Sequence, residues 1–221
     1  QTPEEKPQQQ RKESAKVLFS GTLAEGLIAG AAAVMAIVGL IGMYQNWLLS
    51  ISVIALGLAL LFEGAAISAR FYTLVSETTK GKFTAAELSG GTAAESLAGI
   101  FSIILGILAL VGLKPTLLIP AAVILTGGCL ILGAGANARL VSLRIAKPHE
   151  HPMVQEVARQ AALSATGFQV LIGLGAITLG ILALSDIQPV ILCLVAVLGM
   201  AGALLLSGSA IAGRMLSMFR F

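Results

Sequence analysis

Gly64-Ala65-Ala66-Ile67-Ser68-Ala69-Arg70, Gly133-Ala134-Gly135-Ala136-Asn137-Ala138-Arg139 and Gly208-Ser209-Ala210-Ile211-Ala212-Gly213-Arg214 are three versions of one small-residue run closed by arginine. Each run ends a long apolar stretch, and each such stretch is preceded by another apolar stretch across a short turn. The chain therefore reads as six spans, near residues 24–44, 48–71, 93–112, 117–141, 163–184 and 190–212. Each is about the 20 residues that a helix needs to cross roughly 30 Å of hydrocarbon. With 57% apolar and 11% charged residues, the composition lies far from the soluble average of about 45–50% apolar and about 25% charged. Alternating polar and apolar positions of a barrel strand are absent, so helices are the spanning element, since a backbone in lipid must satisfy its own hydrogen bonds.

The expected fold is all-α: an integral membrane six-helix bundle made of three parallel two-helix hairpin repeats, at about 24–71, 93–141 and 163–216, following a polar tail at 1–17. The markers align across the repeats. Glu25 and Glu95 open the first and second units, and the identical Leu-Gly-Ile-Leu-Ala-Leu strings at 105–110 and 179–184 place Gln169 at the same point of the third. Every unit starts and ends on one side, which makes the units parallel rather than inverted.

Orientation follows from charge. Of the 14 Lys and Arg residues, all but Lys114 fall on the side of the termini and the two longer connections at 72–92 and 142–163. By the positive-inside rule both termini should be cytoplasmic, with the short turns around Asn46, Lys114 and Asp186 outside. The same placement accounts for the net charge of +3 without an anionic or nucleic-acid partner. The 1–17 stretch is rich in Gln, Glu, Lys and Pro and reads as a polar tail, not a secretory signal, with a disorder-like composition from Gln1 to Arg11. Pro152 suits the first turn of a helix, which is expected either to run on into the fifth span or to lie on the membrane surface.

Candidate functional groups are few. Glu25 and Glu95 lie near the starts of odd helices, and Arg70, Arg139 and Arg214 at the ends of even ones, where acids and bases complement the helix dipole. Pairs Glu25 with Arg70 and Glu95 with Arg139 are expected across the hairpin mouths, with Gln169 opposite Arg214; the same groups could form an ion vestibule or a partner contact. Glu63 lies two turns before Arg70, about 10 Å inward. A carboxylate there costs on the order of 2.5–3.5 kcal/mol on insertion scales. Counting back from the arginines makes Leu132 and Ser207 its equivalents, so Glu63 is an acid that only one unit possesses. Ser52, Ser102, Thr126 and Thr178 add scattered interior polarity.

Cys129 and Cys193 differ in depth by roughly 16 Å at about 1.5 Å per residue, too far for a disulfide, and read as small core residues. His149-Glu150-His151 is read as a solvated loop: no cysteine or third histidine stands by to complete a metal site. No phosphate loop or nucleophile–base spacing occurs outside the spans, and haem would need an intramembrane histidine. No enzyme activity, cofactor or metal is expected. Glycine pairs such as Gly26–Gly30, Gly64–Ser68 and Gly208–Ala212 mark close helix packing, within the bundle or between subunits.

Leu105-Gly106-Ile107-Leu108-Ala109-Leu110 before Lys114-Pro115, and Leu179-Gly180-Ile181-Leu182-Ala183-Leu184 before Gln188-Pro189, each precede a helix with a late glycine and a terminal arginine. This repeat resembles that of the HdeD-type small six-span acid-resistance membrane proteins, over about 190 residues. The first unit departs from it, with Tyr44-Gln45-Asn46-Trp47 and no proline in its turn. The resemblance implies a bacterial inner-membrane protein with a stress-related role, and it supplies no catalytic residue. The residues themselves point to a structural or accessory component of a homo-oligomer or larger membrane complex. A proton or small-cation transporter using Glu63 is the alternative.

Overall fold

The computed structural model describes residues 24–77, 85–145 and 152–218, with side-chain environments for 24–65, 94–135 and 166–206 and for 160 and 164. These residues form six helices and no strand: α1 (Ala24–Leu40), α2 (Gln45–Glu77), α3 (Ala85–Leu110), α4 (Pro115–Ile145), α5 (Pro152–Leu184) and α6 (Pro189–Met218). Helices α2, α4, α5 and α6 are long and apolar enough to cross a membrane, while the described apolar stretches of α1 and α3, Ala24–Leu40 and Ala94–Leu110, are shorter. Pro152 does begin α5, which continues unbroken into the fifth apolar stretch. Asn46, expected in a turn, lies instead inside the first turn of α2.

Three short turns join α1 to α2, α3 to α4 and α5 to α6, and all three use the same backbone solution. A left-handed residue ends the first helix: Gly42 (φ 99°), Gly112 (φ 92°) and Asp186 (φ 62°). Two residues on, a second left-handed residue starts the next helix: Tyr44 (φ 44°), Lys114 (φ 36°) and Gln188 (φ 41°). Gly112 N–H donates to Ala109 O at 3.0 Å and Leu113 N–H to Leu108 O at 3.0 Å, the paired bonds of a Schellman ending that satisfy two carbonyls a helix leaves open. Gly42 N–H to Gly39 O and Asp186 N–H to Ala183 O repeat the first of these bonds. Pro115 and Pro189 then occupy the first positions of α4 and α6, where no amide hydrogen is needed.

Packing places the even helices inside. Helices α2, α4 and α6 touch one another along one axis. Residues 70 apart in α2 and α4, and 74 apart in α4 and α6, carry nearly the same exposure. The axis is built in matching layers: Val53, Val123 and Val197, then Leu56, Thr126 and Met200, then Leu60, Leu130 and Leu204, all buried. The space left between the last two layers is too narrow for a water molecule. Thr126 satisfies its hydroxyl within its own helix, on Ala122 O at 2.8 Å, and also reaches Met200 Sδ at 3.3 Å.

The odd helices fit between the even ones: α3 packs against α2 and α4, and α5 against α4 and α6. The closest approaches are backbone to backbone. A Cβ on Gly57 would lie 2.7 Å from Gly99 O, and one on Gly99 2.7 Å from Gly57 O. Gly127 and Gly173 repeat this seam between α4 and α5, at 2.8 and 2.6 Å. Such contact without intervening side chains is how helices gain dispersion energy where lipid offers no hydrophobic drive. Helix α1 closes the ring on α6, since a Cβ on Gly39 would meet Leu194 Cδ2 at 2.9 Å. Of the pairs singled out from spacing, Gly26 has no neighbour within 4 Å of its Cβ position and Gly30 meets only Leu205 Cδ2 at 3.8 Å, while Ser68, Gly208 and Ala212 lie outside the residues with described side-chain environments. Thr178, expected in the interior, is exposed and bonds Leu174 O at 2.9 Å.

Candidate functional site: a buried carboxyl cluster

The register of α2 on α3 fixes the site. The chains run antiparallel, with Ile54 of α2 beside Gly106 of α3, and Gly57 and Leu61 beside Gly99. Continuing away from the turns brings Glu63 level with Glu95. Both are buried, as are Glu25 of α1 and Gln169 of α5. Glu63 and Glu25 each act on Glu95 electrostatically, so carboxyl groups from α1, α2 and α3 share one region one turn beyond the Leu60, Leu130 and Leu204 layer.

Glu95 is the centre of this cluster. It is only 1% exposed, and its Oε1 occupies the place where a side chain on Gly133 of α4 would begin. Only glycine at 133 leaves room for that carboxyl group. Neither oxygen of Glu95 accepts a hydrogen bond. The neighbouring Cys129 Sγ donates instead to Ala94 O at 3.0 Å, which ties α4 to α3 just beside the carboxyl. Gln169 Nε2 is likewise buried without a hydrogen-bond acceptor. A buried polar group without a partner costs about 1–3 kcal/mol, more when charged, so these side chains are poor candidates for purely architectural roles.

The Glu95 side chain is directed onto Gly133 and its oxygens accept no hydrogen bond. The expected pairings with Arg70, Arg139 and Arg214 involve side chains outside the described residues, where 146–151 with both histidines and the tail at 1–17 also lie. The structure corrects one expectation, which concerns Glu63. Burial patterns superpose at an offset of 70, which makes Gly133 its counterpart; Leu132, at 57% exposed, matches the exposed Phe62. Counting back from the arginines had displaced the alignment by one position. In the first unit, then, a carboxylate stands where the second has the glycine that receives Glu95.

Chemically, the cluster concentrates acid groups. Among the described residues, no three His, Cys, Asp or Glu side chains gather as metal ligands. Cys129 and Cys193 are both buried free thiols, as expected of small core residues. Comparison of the chain with models of protein families, with curated proteins and with solved structures finds no match.

Proposed function

We propose that this chain is a non-enzymatic integral membrane protein, a structural or accessory component of a homo-oligomer or a larger membrane complex. In this reading it consists of three parallel hairpin repeats with both termini cytoplasmic, placed in a bacterial inner membrane like the HdeD-type proteins that its repeat resembles. The observation that carries the reading is the filled axis. Three inner helices meet on buried layers of Val, Leu, Thr and Met, and the space between the Leu56–Thr126–Met200 and Leu60–Leu130–Leu204 layers is too narrow for water, so the bundle offers scaffold rather than passage at that level. The outward faces of the odd helices are apolar, with Leu27, Ile104 and Leu171 among their exposed residues, and are suited to lipid or a neighbouring subunit.

Native mass measurement in mild detergent, with identification of co-purifying chains, tests the proposal. A mass above one 22.6 kDa chain after subtraction of detergent and lipid is the expected result. A solitary monomer without partners counts against it.

A second reading is favoured by one specific observation, the convergence of Glu25, Glu63 and Glu95. Intramembrane acids line proton and cation routes in many transporters, and this cluster sits directly beneath the leucine layer. Flux into vesicles separates the readings. Transport reads as proton or cation uptake that is lost in Glu63→Gln and Glu95→Gln; absence of uptake in the parent protein, or unchanged uptake in both variants, removes it.

A further inference from the structure

The turns carry a feature that neither reading uses. Their middle residues, Met43, Leu113 and Ile187, are apolar and exposed to the same degree, 55, 54 and 55%. The flanking Ile41 and Val111 are more exposed still, and Tyr44 and Trp47 add two exposed aromatic rings to the first turn. Three turns of one geometry thus each expose a large apolar side chain at one end of the bundle, beside polar neighbours such as Lys114 and Asp186. Turns that stand in water are normally polar, and large apolar side chains grouped on one surface mark a site of contact.

We propose that this end of the protein is seated in the bilayer, with the turns lying at the boundary between acyl chains and headgroups instead of projecting into water. Three observations choose lipid as the occupant. The apolar windows of α2, α4 and α6 begin at Gln45, Pro115 and Pro189, the first helical residue after each turn, so turn and span adjoin directly. Tyr and Trp are the residues that favour this layer, because their rings combine an apolar body with a polar tip. The charged residues of the turns, Lys114 and Asp186, stand at their tips, where a side chain reaches the headgroups while its neighbours remain in the acyl region.

The placement has a consequence at the other end. About 20 residues at 1.5 Å each span roughly 30 Å. Counted from Gln45, the far hydrocarbon boundary then falls close to Ala65. Glu63 and the carboxyl cluster therefore lie at that boundary, not a third of the way into the membrane as counting from Arg70 implies.

Trp47 is the sole tryptophan of the chain, so the unmodified protein reports on itself. The inference rests on the membrane reading, which flotation of the protein with lipid vesicles checks separately. In vesicles that contain this protein alone, Trp47 fluorescence is measured with lipids brominated at shallow or deep acyl positions, and with iodide on both sides of the bilayer. The expected result is several-fold stronger quenching by shallow-brominated lipid than by iodide. Leu113→Cys and Ile187→Cys extend the test to the other turns, with labelling by a membrane-impermeant maleimide expected to be several-fold slower than in denatured protein. Free access of iodide to Trp47 overturns the proposal. So does protection from both quenchers in protein that floats, which would mean that another protein surface covers the turns.

Discussion

Gly173 and Gly175 lie two residues apart on one helix, and the structure assigns opposite effects to the same substitution at each. A Cβ on Gly173 would lie 2.6 Å from Gly127 O and 2.7 Å from Ile131 Cγ1, whereas one on Gly175 would meet nothing within 4 Å. Optimal separation for such atoms is about 3.5–4.0 Å, so Gly173→Ala must push α5 away from α4 by roughly an ångström. The contact is backbone, which no rotamer change relieves. Overpacking of this kind costs about 1–3 kcal/mol, set against up to about 1 kcal/mol that alanine gains over glycine in a helix. Gly173→Ala is therefore expected to destabilise by about 1–2 kcal/mol, while Gly175→Ala retains only the gain and stabilises by up to about 1 kcal/mol. Reversible unfolding in mixed micelles, with denaturing detergent as the titrant, measures both. Gly127→Ala with Gly173→Ala should cost less than the sum of the two, because one separation of the helices accommodates both methyl groups. Equal shifts of the same sign at 173 and 175 would refute the claim that backbone contact at the seam holds α5 in place.

The turns and the carboxyl cluster give further expectations by the same assay. Gly112→Val places a β-branched residue at φ 92° and should cost on the order of 1–3 kcal/mol. Asp186→Gly, at φ 62° in the third turn, should be neutral or stabilise by up to about 1 kcal/mol; a loss comparable to that of Gly112→Val would mean that the Asp186 side chain itself holds the turn. Glu95→Met replaces a buried carboxyl that accepts no hydrogen bond with an apolar chain of similar length, and should stabilise the fold by about 1–3 kcal/mol. A loss of stability there would show that the carboxyl group has an essential partner in the membrane.

Much of the architecture was legible because lipid imposes simple rules. Uninterrupted apolar runs with arginine at their ends gave the six helices, and Pro152 gave the start of α5. The turn chemistry was only partly readable. Gly42 and Gly112 are the usual left-handed helix enders, but Asp186 occupies the same conformation in the third turn, and Tyr44, Lys114 and Gln188 share a left-handed geometry that no residue preference announces. Nor could spacing say which glycines form the seams. Helices in this bundle are glycine-rich on several faces, and only the rotation of each helix decides whether Gly173 or Gly175 meets a neighbour. The third seam, between α6 and α1, has Ala201 and Ala29 where the others have paired glycines, so a search for repeated glycine motifs passes over it.

The members of the carboxyl cluster were legible, but their common level was not, because of a single-residue error of register. Arginine at a helix end is a marker of membrane level, and side chains that reach for an interface tolerate a shift of one position. Packing does not, because one residue turns a helix by about 100°. Aligned by the arginines, Glu63 matches the exposed Leu132 and reads as an intramembrane acid that one unit alone possesses; aligned by burial, it matches Gly133, which Glu95 requires. The first hairpin cannot reproduce the arrangement of the second. Where the second has a glycine notch that accepts the acid of α3, the first has another acid, Glu63. Glu63 and Glu25 both lie close enough to Glu95 to act on it electrostatically, and at position 63 the first hairpin carries a carboxyl group where the second has Gly133. The asymmetry incurs a desolvation cost that a symmetric glycine would avoid. Position 63 is therefore where the transport reading is best tested.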